Sequence, residues 1–161
     1  MSIVALKNWP SRAKEKQKVY KQYLQKVNKN KVLSRLQSFH DDVFSKINCL
    51  SCGNCCKHHS PRFKVPDIKR IARYLKIKES AFINLYLYLD EEGDYVLKQL
   101  PCPFLGKDNI CSIYNVRPSD CSRYPYTDED VLLKRIALTL KNATVCPAVY
   151  LVLERIMEKI S

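Results

Sequence analysis

Four of the eight cysteines in this 161-residue chain lie close together, at Cys49, Cys52, Cys55 and Cys56. A gap of two residues between cysteines lets the chain turn tightly and direct both sulfurs to one metal, and Gly53 permits the bend. Cys49, Cys52 and Cys55 repeat the three-thiolate spacing of iron–sulfur proteins, whose fourth ligand comes from elsewhere in the chain. The spacing predicts a metal site with Cys49, Cys52 and either Cys55 or Cys56 as core ligands.

Cys146 is the predicted fourth member of this core set. It precedes Pro147, which suits the first turn of a helix, and the positive end of that helix favours a thiolate. Cys102, Cys111 and Cys121 are farther apart and need a folded hairpin to meet. We predict them as further metal ligands, and a buried structural cysteine is the alternative for each.

Other residues near the cysteines are candidates for secondary roles. His58 and His59 are considered as ligands because neutral imidazole binds metals, and exposed loop positions are the favoured alternative. Arg117 is a candidate donor of hydrogen bonds to thiolate or carbonyl groups, with a surface ion pair as the alternative. Asp120 is interpreted as a turn or capping residue, and no catalytic residue is identified.

The cysteine count also raises the alternative of a disulfide framework. A chain of this length buries a core without such cross-links, and its N-terminus lacks the apolar core of a signal peptide. No stretch approaches the length of a membrane span. We therefore expect a cytoplasmic protein with no membrane span, where clustered thiols more often bind metal than form disulfides.

The net charge of +12 is concentrated near the N-terminus, where residues 1–47 contain 11 Lys or Arg and three acidic residues. Such a segment attracts nucleic acid, anionic surfaces or acidic partners through unspecific electrostatics. It lacks any pattern of base-stacking aromatic residues, and the chain contains no nucleic-acid motif. A solvated helix face is the favoured interpretation. Nucleic acid is not expected as a partner, a protein partner stays open, and the oligomeric state is not predicted.

Apolar periodicity predicts a mainly α fold. Two helices are expected over residues 11–47 with a break near 28–30, and further helices over residues 65–75, 79–89, 131–140 and 147–160. Residues 48–60 are predicted as loop and 95–100 as a strand, because the helical pattern stops there.

The expected architecture is one compact helical domain over residues 1–161, organised around a cysteine-ligated metal site. It comprises basic N-terminal helices (1–47), a cysteine core (48–147) with a small irregular or β-hairpin insert around residues 102–114, and a C-terminal helix (147–161).

The cysteines and their neighbours also occur in a familiar order. The motifs are Cys49-x2-Cys52-x2-Cys55-Cys56, Cys102-Pro-Phe-Leu, Cys111-x-Ile-Tyr, Arg117-Pro-x2-Cys121, Tyr124-Pro125 and Cys146-Pro147. In this order the chain resembles the CxxCxxCC family of zinc- or iron-chelating domains over about residues 49–147. The resemblance extends to the flagellin lysine methylase, whose similar cysteine cluster implies an iron–sulfur centre.

Three functions follow as hypotheses. The leading one is a metal-binding protein whose [4Fe-4S] cluster organises the fold, with Zn²⁺ as the alternative, because thiolates suit both metals. The second is a metal-dependent protein-modifying enzyme related to the methylase, although no catalytic triad, carboxylate pair or phosphate loop accompanies the cysteines. The third is an adaptor or nucleic-acid binder that uses the basic N-terminal helices.

Overall fold

The computed structural model describes residues 6–161, which divide into two compact units. The first unit contains residues up to Asn48 and again from Pro125, and the second contains Cys49–Tyr124. The helices of the first unit are α1 (Trp9–Glu15), α2 (Gln17–Lys26), α3 (Lys29–Phe44), α9 (Val131–Lys134), α10 (Ile136–Ala143) and α11 (Pro147–Lys159). The second unit contains α4 (Cys49–Cys52), α5 (Asn54–His58), α6 (Val65–Leu75), α7 (Glu79–Tyr86), β1 (Leu87–Leu89), β2 (Tyr95–Leu97), a 3-10 helix (Tyr114–Val116) and α8 (Ser119–Arg123).

The first unit is a helical unit built around α11. Eight residues of α11 are buried, including Val149, Val152 and Ile156, and α11 packs against α1, α3 and α10. Because α11 is apolar on most sides, it occupies the centre of the unit, as helices of this kind do. Each of α2 and α3 instead buries one stripe, and α3 begins at Asn28, whose side chain accepts a hydrogen bond from the backbone N–H of Lys31 (3.1 Å).

A polar network joins α1 and α2 to the middle of α11. The ammonium group of Lys16 contacts both carboxylate oxygens of Glu154, at 2.7 and 2.9 Å. The hydroxyl group of Tyr20, a fully buried residue, donates to the same carboxylate at 2.6 Å. Burial and the neighbouring Glu154 raise the pKa of Tyr20 well above its usual range, so this hydroxyl stays a donor. The network satisfies the one acidic group on this part of α11.

The second unit packs α6 and α7 over a short antiparallel hairpin. Leu87, Tyr88 and Leu89 of β1 pair with Leu97, Val96 and Tyr95 of β2. The core between them is aromatic: the ring of Phe82 lies 5.9 Å from that of Phe63 and 6.1 Å from that of Phe104. This core includes Phe104, which lies two residues after Cys102, so it anchors the segment that carries the central cysteines.

The mainly helical prediction is confirmed, and most predicted helices are found with small shifts in their ends. The break near residues 28–30 is confirmed, with a further break at Lys16. The predicted helix over residues 79–89 ends at Tyr86, because Leu87 enters the hairpin. The predicted loop over residues 48–60 is wrong in part: it contains α4 and α5, which bury no residue and therefore leave no apolar pattern in the sequence.

The small irregular or β-hairpin insert expected around residues 102–114 is largely irregular, with one antiparallel bridge between Leu105 and Cys111. In the described part of the chain, no single helix is long and apolar enough to cross a membrane. Only α10 and α11 taken together have the length and apolar composition of a membrane span, and the chain bends by 117° between them. The organisation as one domain over residues 1–161 stays a prediction, because two compact units can still unfold together as one cooperative domain.

Candidate metal centre

The first cysteine segment folds as two short helices joined by a glycine. Cys49 and Cys52 are the first and last residues of α4, and Cys55 and Cys56 lie in α5. Gly53, between the helices, has φ +57°, the left-handed conformation that other residues adopt at a cost. The backbone N–H of Gly53 donates to the carbonyl oxygen of Cys49 at 3.3 Å. The bend that the CxxC spacing predicted is therefore made by this glycine.

The second cysteine segment is a tight turn that lies against the first. The backbone N–H of Cys102 donates to the carbonyl oxygen of Cys56 (2.8 Å), which places the two cysteines side by side. Between Cys102 and Cys111 the chain reverses, with Asn109 in the left-handed conformation at φ 64°. The amide group of Asn109 donates to the carbonyl oxygen of Ser51 (3.2 Å) and so joins the turn to α4.

Backbone N–H groups point at two of the sulfurs in this turn. The N–H groups of Phe104 and Leu105 donate to the sulfur of Cys102, and that of Ile113 donates to the sulfur of Cys111. Such donors favour a negatively charged sulfur. Burial has the larger, opposite effect and raises the pKa of Cys102 to about 11, so these thiolates need a positive partner to form readily. A metal ion supplies one.

Four thiols of this unit form a mutually interacting set. The four thiols form six pairs, and in each pair the negative charge of one sulfur raises the pKa of the other thiol. Burial is the largest cause of the raised pKa of Cys121, followed by the charges of the other three. We call this set the cysteine quartet: Cys56, Cys102, Cys111 and Cys121.

Cys56 has a pKa that is lowered to about 7. The thiol of Cys55 donates a hydrogen bond to its sulfur, which is the largest cause, while burial opposes the shift. The backbone N–H of Cys56 itself and the charge of Lys57 lower the pKa further. The two sulfurs of this adjacent pair thus lie within hydrogen-bond reach of each other.

Cys49 and Cys52 belong to the first cysteine segment but not to the quartet. Burial raises the pKa of Cys49, and the charges of Cys52 and Cys56 raise it further. Arg117 lowers the pKa of both Cys49 and Cys111, so its guanidinium group lies in a position to offset the thiolate charge. Arg117 also donates to the carbonyl oxygen of Tyr114 (2.7 Å) and lies over the ring of Tyr114 at 3.9 Å. The predicted hydrogen bond from Arg117 to a carbonyl group is confirmed.

The remaining candidates lie in other surroundings. Cys146 belongs to the first unit, where it is buried and precedes α11; the prediction that Pro147 opens this helix is confirmed. His58 is exposed at the end of α5, and the ring of the partly buried His59 lies 6.0 Å from that of Tyr124. The structure thus brings together the quartet with Cys49, Cys52 and Cys55, and it places Cys146 in the other unit.

The burial of two carboxylates in this unit, Asp67 and Asp120, was not predicted from the sequence. Asp67 and Asp120 are 2% and 7% exposed. Asp67 accepts hydrogen bonds from Ser119, the first residue of α8, and Asp120 forms an ion pair with Arg62 (2.9 Å). Asp120 was interpreted as a turn or capping residue; it lies in the first turn of α8, and its ion pair was not foreseen. Only the apolar neighbourhood of Asp67, next to Ile68, would have hinted at its burial.

The donor set fits zinc or iron in its chemistry. None of the eight cysteines, all of which lie in the described part of the chain, forms a disulfide bond, and thiolates are the ligands of structural zinc and of iron–sulfur clusters. Within residues 6–161, however, no three His, Cys, Asp or Glu side chains already meet at the spacing that one metal ion requires. The metal-centred organisation of the fold therefore stays a prediction.

A clustered set of thiols with backbone N–H groups directed at the sulfurs defines a cysteine-rich metal-chelating domain. The sequence comparison identifies the family: residues 48–147 match the model of the CxxCxxCC family, described as "Putative zinc- or iron-chelating domain". The chain belongs to this family. No curated protein and no solved structure matches the chain in the other two comparisons.

Proposed function

We propose that this protein binds a metal cofactor through the cysteine quartet, and that this cofactor is a [4Fe-4S] cluster. The observation that carries the proposal is the backbone hydrogen bond that places Cys102 beside Cys56, in the unit that also contains Cys111 and Cys121. The charges of these four sulfurs affect one another's pKa values, which agrees with this grouping. Four thiolates are the complete ligand set of such a cluster, whose role here is to tie the cysteine segments together. When bound, it supplies a redox-active centre whose potential depends on hydrogen bonds to the sulfurs and on solvent exposure.

Iron–sulfur and zinc sites differ in the distances between their sulfurs. Four sulfurs on one zinc ion lie about 2.3 Å from the metal and therefore roughly 3.8 Å from each other. In a [4Fe-4S] cluster each cysteine binds a different iron, so the sulfurs lie farther apart. The resemblance to the flagellin lysine methylase, whose similar cysteine cluster implies an iron–sulfur centre, favours the cluster over zinc. Zinc is the alternative that the same experiment tests.

The experiment is anaerobic purification followed by a visible absorption spectrum and by analysis of iron, sulfide and zinc. We expect a brown protein with about four irons and four sulfides per chain. A colourless protein with stoichiometric zinc would replace the cluster by a structural zinc site. A protein with neither metal would refute the proposal.

Two paired variants then assign the ligands. We expect C102S/C111S to lose the metal, because these residues contribute half of the quartet. We expect C49S/C52S to retain it in part, since these cysteines are not members of the quartet and only Cys56 of the quartet affects the pKa of Cys49. The reverse result, together with metal loss in C146S, would support the set of Cys49, Cys52, Cys55 or Cys56, and Cys146 that the sequence predicts.

A further inference from the structure

The buried carboxylate of Asp67 is saturated with hydrogen bonds that come from two separate segments. One oxygen accepts from the backbone N–H of Lys64 (3.1 Å) and from the hydroxyl group of Ser119 (3.1 Å). The other accepts from the backbone N–H of Ser119 (3.0 Å) and from the guanidinium group of Arg70 (2.8 Å). The bond to Lys64 caps the start of α6, whereas the two bonds to Ser119 reach the start of α8.

Ser119 lies two residues before Cys121, and α8 is only five residues long. A helix this short has little stability of its own, so its position depends on the contacts at its ends. Arg70, the cationic partner of Asp67, extends the attachment to the preceding residues. It donates to the carbonyl oxygens of Arg117 (2.8 Å) and Val116 (3.3 Å).

A second ion pair attaches the same segment from another direction. The carboxylate of Asp120 accepts from the guanidinium group of Arg62 at 2.9 and 3.4 Å, and from the backbone N–H of Arg62 at 3.4 Å. Residues 116–120 are thus held to residues 62–70 through two buried carboxylates. Asp67 lies outside the cysteine motifs, whereas Asp120 directly precedes Cys121.

We propose that Asp67 is a positioning residue for the metal site, which it serves by holding α8 so that Cys121 stays beside Cys56, Cys102 and Cys111. This inference rests on the proposed function. The capping bond to Lys64 needs only one oxygen of Asp67, and it would be the same if Asp67 merely capped α6. The two bonds to Ser119 have no part in that cap, and they act on the helix that carries the ligand. Residues that orient ligands without touching the metal commonly contribute 10- to 100-fold to metal affinity.

The test compares three full-length variants with the wild type. D67N keeps the shape of the side chain, but its amide group replaces one acceptor by a donor that faces N–H and O–H groups. S119A removes only the hydroxyl bond and leaves the cap of α6 intact, so it serves if D67N does not fold. D90N is the matched control: Asp90 accepts from the backbone N–H groups of Glu92 and Asp94, both at 2.9 Å, in the hairpin of the same unit.

Two quantities are measured. The first is the rate at which a chelator removes the iron or zinc held after anaerobic purification. The second is the rate at which iodoacetamide modifies Cys121 in the metal-free protein, followed by peptide mass spectrometry with Cys102 as the internal reference. We expect D67N to release metal roughly 10- to 100-fold faster than the wild type. Cys121 should be alkylated faster in D67N, with Cys102 unchanged, and S119A should show smaller changes in the same direction.

The inference is overturned if D67N and D90N release metal at the same rate, or if Cys121 is alkylated in D67N no faster than in the wild type. Equal acceleration at Cys121 and Cys102 would also overturn it, because that result indicates general loosening of the unit. A wild-type protein that holds no metal refutes the proposed function. The alkylation rates then still decide whether Asp67 holds Cys121 in place.

Discussion

Replacing Gly53 by alanine tests whether the bend between α4 and α5 is fixed by the turn that follows Cys102. At φ +57° a residue with a Cβ atom costs about 1–2 kcal/mol. The added Cβ would also lie 2.9 Å from the Cβ atom of Asn109, closer than such atoms approach without a shift. Asn109 is held by its bond to Ser51, so the shift is resisted. We expect G53A to lower the free energy of unfolding by about 2–4 kcal/mol, since strain and overpacking add.

Gly93 provides the matched control for this prediction. It also has a positive φ, +82°, but a Cβ atom built there meets nothing within 4 Å. G93A should therefore show only the backbone cost, about 1–2 kcal/mol. Urea unfolding of both variants, with a chelator present so that bound metal does not contribute, measures the difference. Equal midpoints for G53A and G93A would refute the argument that Asn109 and Gly53 fit closely.

Three further predictions concern pH, a hydrogen bond and the metal. Burial alone would raise the pKa of Asp67, but the bonds from Arg70, Lys64 and Ser119 lower it on balance. The stability that this lowered pKa provides is present at neutral pH and should be lost as the pH falls below about 4. In acid unfolding curves, D67N should lack this dependence of the free energy of unfolding on pH. Y20F should cost about 1.5–3 kcal/mol in urea unfolding, because the carboxylate of Glu154 loses a donor at 2.6 Å, and an unchanged midpoint would contradict this. Removal of the metal should accelerate amide hydrogen exchange in residues 49–124 and leave α11 protected; equal acceleration in both units would instead support a single cooperative domain.

The elements with an apolar stripe were predictable from the sequence. The helix Pro147–Lys159 and the start of α6 at Val65 follow from periodicity and from proline at the first turn. α4 and α5 were not predictable in this way, because they bury no side chain and owe their form to Gly53 and to the neighbouring turn. The hairpin at residues 87–97 was missed in part, since Leu87 fits the end of a helix as well as the start of a strand.

The candidate site was predictable in its residue types but not in its grouping. Spacing along the chain favours Cys49, Cys52 and either Cys55 or Cys56, which are near one another before the chain folds. The quartet instead takes one member from that run and three from later segments, and the contacts that assemble it are backbone hydrogen bonds such as the one from Cys102 to Cys56. Backbone contacts of this kind cannot be predicted from residue types, and neither can the hydrogen bonds between Asp67 and Ser119.

The order of the two units along the chain affects how the protein assembles. The helical unit is interrupted by residues 49–124, so α3 must find α11 across the whole cysteine-rich unit. A ribosome releases α3 before α11, and the entropy lost in bringing the two together grows with the length of free chain between them. If metal orders the intervening residues, as the proposed function implies, that free chain becomes effectively shorter. Metal supply during synthesis would then hasten the completion of a helical unit that contains only one of the eight cysteines.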